Sequence, residues 1–324
     1  MALDPRLRDR LVLPAFCAPM YLVSGRQLLA AACKAGIIAG TNPRNWPSIA
    51  TFEADMLALR ADLDAFQVAN PQARVGPLAT NINLRASATE LANYIRICKA
   101  ARIDLVISVG GDPTPLIQQV HEHGGVVWHD ATSLQFAEKA IRAGADGIIA
   151  IGSGGGGQSG LVTPLTLIPQ IRAMFDGTIV MAGAVSSGAA IRAAEVLGAD
   201  LAYLGTRFIA TQESGAPDGY KQMLVDARVT DLAYTPAVNG VPANWLLPSM
   251  LQYGLDPKAP GPDRQSTDHL PPGVRAWKDV WSAGQGVGLI NDIPSVNELV
   301  RRLRREYVEA CARPSMAAAA ALSD

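Results

Sequence analysis

The 324-residue chain has little of several things that would announce a function directly. Its four cysteines, Cys17, Cys33, Cys98 and Cys311, stand far apart with no CxxC or CxxH spacing. That argues against a zinc site and against a disulfide framework, and reads as reduced thiols of a cytoplasmic protein. Lysine plus arginine (28) and aspartate plus glutamate (29) nearly cancel, for a formal net charge of -1. There is no basic surplus for nucleic acid and no acidic tail. No apolar run is long enough to span a membrane, and the opening MALDPRLRDR carries alternating charges where a signal peptide would have an apolar stretch. These absences leave a small molecule as the expected partner, with a homodimer left open.

What is present is a rhythm. An alanine-rich helical stretch, a small turn and a short apolar run recur, as in Gly144-Ala145-Asp146 before GIIAIG and Gly198-Ala199-Asp200 before LAYLG. Repeated helix and buried strand mean parallel βα units. The runs fall at Leu13–Ala18, Ile37–Ala39, Gly76–Asn81, Leu105–Val109, Val126–Trp128, Gly147–Ile151, Thr178–Ala182 and Leu201–Leu204. Their number is that of a (β/α)8 TIM barrel. A doubly wound open sheet would carry its glycine fingerprint after the first strand, but that strand ends in Ala18-Pro19-Met20. The expected organisation is a barrel core over 1–211, a small, largely helical elaboration covering its mouth over 212–290, a closing helix over 291–312 and a disordered tail over 313–324. The run Arg301-Arg302-Leu303-Arg304-Arg305 reads as the solvated face of that helix.

Chemistry gathers in the late loops. Gly152-Ser153-Gly154-Gly155-Gly156-Gly157-Gln158-Ser159-Gly160 follows the sixth run, and so many glycines sacrifice backbone entropy that only a close approach to the main chain explains. Such loops expose N–H groups that bind phosphate or lie against a flat ring. Ala182-Gly183-Ala184-Val185-Ser186 after the seventh run and Gly205-Thr206-Arg207-Phe208 after the eighth fit the same role. Three such turns on successive late loops point to a phosphate-bearing cofactor.

Together, Ala18-Pro19-Met20, Asn83, the glycine loop, Ala182-Gly183 and Gly205-Thr206-Arg207-Phe208 resemble the nitronate monooxygenase (2-nitropropane dioxygenase) family of FMN-dependent TIM-barrel oxidoreductases, from about Leu13 to Tyr307. The same group includes flavin-dependent enoyl-acyl-carrier-protein reductases and an NADH:quinone reductase type. The resemblance implies FMN held non-covalently, its phosphate on Gly183, Gly205 and Thr206. Its ring would lie near Met20, Asn83 and Gln158, with Ala18, Pro19, Gly157, Gly160 and Ala182 completing the site. It also implies oxidation of alkyl nitronates with O2.

One position departs from the family. Where the family commonly reads Ala-Gly-Gly-His-x-Gly and uses the histidine as base, this chain has Gly155-Gly156-Gly157-Gln158-Ser159-Gly160. Glutamine donates and accepts hydrogen bonds but takes no proton at neutral pH. A substrate supplied as the nitronate survives the change, whereas a neutral nitroalkane should be poor. An acyl- or hydroxyacyl-thioester, or a quinone, with an electron acceptor other than O2, is the alternative, and a non-catalytic phosphate- or nucleotide-binding barrel a second one. His129, at the end of the fifth run, is the candidate to line the site in place of the lost histidine, against a structural histidine bonded to main chain. Neighbours on a strand point to opposite faces, so His129 and Asp130 need not pair. Ser108, Gly110 and Asp112 are expected at the mouth, and Trp245 and Trp281 are candidates to roof it.

Overall fold

The computed structural model describes residues 2–314, so the expected disordered tail lies, from 315 onward, outside the described residues. Parallel strands β1 (Ala15–Cys17), β2 (Ile38–Thr41), β3 (Leu78–Asn83), β4 (Leu105–Val109), β5 (Val126–Ala131) and β6 (Gly147–Ile151) pair in sequence order. After a two-residue strand, β7 (Gly157–Gln158), that stands outside the barrel, β8 (Thr178–Ala182) and β9 (Leu201–Leu204) complete the circuit, and β9 pairs back onto β1. The eight-stranded closed barrel expected from the sequence is the fold. The difference in extent that bears on the site is at β5, which runs on past Trp128 to Ala131.

Alternation along each strand separates two apolar layers. Phe16, Ile38, Ile107, Trp128, Ile149 and Val180 point inward and fill the barrel. Leu3, Leu7 and Leu11, around the short helix Pro5–Arg8, join that cluster as a plug. Trp128 fits because its ladder neighbour on β6 is Gly147, where a Cβ would stand 2.5 Å from the indole. The outward positions meet the surrounding helices, as Ile148, Ile179 and Ala202 do against Leu167, Ile168 and Ile191. The closing helix Val296–Ala312 buries Val296, Leu299, Val300 and Leu303. It crosses helix Gly188–Val196 so closely that a Cβ on Gly188 would lie 2.2 Å from the Leu303 carbonyl oxygen.

The segment after β9 carries helices Asp218–Asp226 and Leu247–Gln252 and two strands not foreseen in the sequence, β10 (Leu232–Thr235) and β11 (Ala243–Leu246). With β7 they form a small antiparallel sheet in the order β10-β11-β7. The elaboration has its own apolar centre, with Val238, Trp245, Met250 and Val280. Among the described residues, no helix is long and apolar enough to cross a membrane.

Candidate functional site

A cavity of about 580 Å³ opens at the C-terminal ends of the barrel strands, the face on which barrel sites are built. Ala18, Pro19 and Met20 after β1 and Asn83 at the end of β3 line it. So do Gly157 and Gln158 of β7, Ala182 and Gly183 from β8, and Gly205 and Thr206 after β9. Two residues expected there stand elsewhere. Gly160 lies behind the loop, where a Cβ would sit 2.2 Å from the Thr132 carbonyl oxygen. His129 is buried and absent from the lining, and its Nδ1 shares a 2.8 Å hydrogen bond with Ser108 Oγ. The continuation of β5 explains this: with both residues in the strand, His129 faces the helices and Asp130 faces the barrel interior. Burial lowers the pKa of His129, which favours a neutral structural imidazole. Ser108, Gly110 and Asp112 are likewise outside the lining, and Asp112 caps its own turn by accepting from Thr114 N at 3.0 Å.

One wall is a cradle of main chain. Gly183 has φ +116° and Ala184 φ +59°, and the Ala184 N–H ties this turn to the glycine loop by donating to Gly154 O at 3.1 Å. Among the described residues, the N–H groups of Gly183, Gly205 and Thr206 find no acceptor. Ser186 Oγ, in the same wall, is buried without a partner. Unmet donors at a cavity wall fit an anion such as a phosphate monoester.

The glycine loop is held in shape from the elaboration. β11 pairs Ala243 with Gln158 and Asn244 with Gly157. The buried Asn244 side chain donates to Ser153 O at 3.1 Å and Gly155 O at 2.7 Å. Segment 282–286 closes the other side: Gly284 N donates to Thr206 Oγ1 at 2.9 Å and Gln285 N to Gly154 O at 3.0 Å. The packing leaves no room for a side chain at Gly156, whose Cβ would meet Gly284 N at 2.8 Å. Trp245 and Trp281 do not line the cavity themselves. Trp277 and Tyr220 do, packed against Trp245 (5.1 Å between centroids) and Trp281 (5.0 Å, stacked) respectively. Sequence reading had no signal for these partners, which come from the irregular segment and its contacts.

The floor carries the site's one carboxyl. Asp130 lines the cavity; its Oδ1 is sealed from solvent and has no hydrogen-bond partner, and burial raises its pKa to about 7. Tyr203 of β9 lines the cavity too, and its hydroxyl is equally buried and unpartnered. Burial and the charge of Asp130 both push its pKa up. Asn81 of β3 adds an amide. Gln158, at the rim, is exposed.

Barrel, mouth cavity and late-loop wall define a (β/α)8 barrel with its candidate site at the C-terminal mouth. The family model for nitronate monooxygenase matches residues 49–306, and the chain belongs to that family. It is 30% identical over 210 residues to a nitronate monooxygenase of Paraburkholderia phytofirmans, covering 59% of this chain and 57% of the relative. It is also 30% identical over 161 residues to a 5-hydroxy-7a-methyl-1-oxo-octahydro-1H-indene-4-carboxyl-CoA dehydrogenase of Rhodococcus jostii, covering 50% and 46% of the two. The chain thus spans roughly half the length of these curated relatives. Among solved structures, nitroalkane oxidase from Streptomyces ansochromogenes superposes with a TM-score of 0.78 at 26% identity, covering 94% of this chain and 99% of that one.

Proposed function

We propose that this protein is an FMN-dependent oxidoreductase that oxidises small alkyl nitronates with O2. The observation that carries the reading is the wall of unmet N–H groups at Gly183, Gly205 and Thr206 beside the glycine loop, together with the family match. Those amides would hold the FMN phosphate, and the Thr206 hydroxyl, already accepting from Gly284 N, would steady the loop over it. Met20, Asn81 and Asn83 would meet the ring, the two amides offering donors and acceptors to its polar edge. Flavin supplies a two-electron acceptor that dioxygen reoxidises. Gln158 at the rim would donate its amide N–H to a nitronate oxygen, which binds and orients the anion without moving a proton.

A second reading is favoured by Arg44. It is exposed at the rim, the sole lysine or arginine among the cavity residues, and forms no salt bridge among the described residues. An unpaired guanidinium there suits the phosphate of a coenzyme A thioester, the substrate class in the name of the Rhodococcus relative.

The test is an absorbance spectrum of the purified chain followed by oxygen uptake on adding a preformed alkyl nitronate. A flavin spectrum with rapid uptake supports the monooxygenase reading. A flavin spectrum without uptake, but with bleaching by an acyl-CoA under anaerobic conditions, moves the assignment to the thioester. Protein without flavin, and with no uptake of added FMN, removes both.

A further inference from the structure

We infer that Asp130 is the proton-exchanging group of this site, its carboxylate removing the α-proton of a neutral carbon acid, an alkane bearing a nitro group, bound over the barrel floor. The C–H bond breaks, an O–H bond forms on the Asp130 carboxyl, and the electron pair delocalises into the nitro group to give the nitronate. The proton then returns to water through the open mouth. No oxidant enters this step. The inference rests on the nitronate oxidation proposed above, which it extends to the conjugate carbon acid that the sequence led us to expect as a poor substrate, and it fills the chemical gap left where Gln158 replaces the family's histidine.

Three observations converge. Asp130 is the sole carboxyl among the cavity residues and comes from inside the barrel at the strand ends. Its buried Oδ1 has no partner, although nearly all buried polar atoms in folded proteins have one. The Tyr203 hydroxyl across the floor is orphaned as well. A carboxyl and a phenol left unmet at one cavity floor gain nothing for folding from this arrangement, and both are free to bind a third group.

The surroundings set how the carboxyl titrates. On the flanking strands β4 and β6 the inward neighbours are Val109 and Ile149, with Ile151 beyond it, all apolar. Across the barrel stand Tyr203 on β9 and the neutral Asn81 on β3; beside Asp130 on β5, His129 turns away to Ser108. The one cation of the lining, Arg44, is at the exposed rim. With no cation to hold its charge, burial raises the Asp130 carboxyl to about 7, a value suited to a base working near neutral pH.

The experiment follows deuterium wash-in at the α-carbon of nitroethane by proton NMR. It uses the full chain as purified, without oxygen, across the neutral pH range. Wild type is expected to exchange faster than buffer, with a rate that rises through about pH 7 and then levels. Asp130→Asn should lower the protein-dependent rate by about a hundredfold, the low end of general-base effects, and flatten the profile. Gln158→His should raise the rate by less than about tenfold, because a base is already present. Should Asp130→Asn not fold, the wild-type profile still decides: no protein-dependent exchange at any pH overturns the inference. A hundredfold gain in Gln158→His also overturns it, since the native site would then lack a working base. Oxygen uptake on preformed nitronate without exchange on nitroethane sinks the role of Asp130 while leaving the proposed oxidation intact. Exchange without any oxidation does the reverse.

Discussion

Asp130→Asn should make the protein progressively more stable, relative to wild type, as pH rises from about 4 to about 7. The carboxyl titrates near 3.8 in an unstructured chain and is raised to about 7 in the fold by burial. Between those values the folded state holds a proton that the unfolded state has released. Stability then falls with rising pH by 2.303RT per unit and stays flat above the folded value. Three units at about 1.4 kcal/mol each make a penalty on the order of 4 kcal/mol at neutral pH. That is an upper figure, because only Oδ1 is sealed while the residue borders an open cavity. Asparagine keeps the shape and carries no charge. Urea denaturation of both full-length proteins at matched values between pH 4 and pH 8.5 measures the difference. The expected result is a variant-minus-wild-type difference that climbs by about 2–4 kcal/mol across the window and is constant beyond it. A difference that stays level, or that shrinks as pH rises, would show that the carboxyl ionises in the fold as easily as in water, and the argument from burial would be wrong.

Other expectations test separate parts of the design. Gly156→Ala places a Cβ 2.8 Å from Gly284 N and 3.0 Å from the Ala283 carbonyl carbon, both backbone atoms, so the loop must open. Flavin retention through gel filtration should drop at least tenfold and stability fall by about 1–3 kcal/mol, and full retention would mean that the loop has slack. Arg44→Ala should raise KM for an acyl-CoA by roughly tenfold, about 1.4 kcal/mol, if the thioester reading holds, while a small nitronate should be indifferent. Arg172→Met strips the guanidinium from the buried Asp200, which it holds at 2.6 Å, and should cost about 3 kcal/mol in chemical denaturation. Asp200 would retain only its bonds from Ala2 N and Ile179 N.

How much of this was legible depended on the range of the interaction. The barrel was readable because each helix–turn–strand unit repeats locally and buried parallel strands are nearly all apolar. The main-chain wall of the cavity was readable because glycine leaves a mark wherever backbone must come close, as at Gly183 with its φ of +116°. The misplacement of His129 came from strand length. A run of Val and Trp signals β5 as far as Trp128, but only ladder pairing to Ile148 and Ile149 of β6 carries His129 and Asp130 into the strand and so decides which of them enters the barrel. Gly160 was misplaced for a similar reason: its small size answers to the Thr132 backbone behind it, and sequence cannot tell that neighbour from a ligand.

The irregular segment shows the same division. Trp245 and Trp281 stood out by type, but Trp277 and Tyr220 reach the cavity because the first two pack behind them. The pairing of β11 with β7, and the grip of Asn244 on the glycine loop, join residues some ninety positions apart with no periodic signal in either. Sequence by itself determined the eight βα units, the family and the glycine loops, because propensity, alternation and backbone freedom are written residue by residue. Tertiary structure alone decided that Asp130 rather than His129 faces the site, and that its carboxyl is left without a partner there. Burial and pairing are properties of the neighbours a side chain meets, and those neighbours come from distant strands.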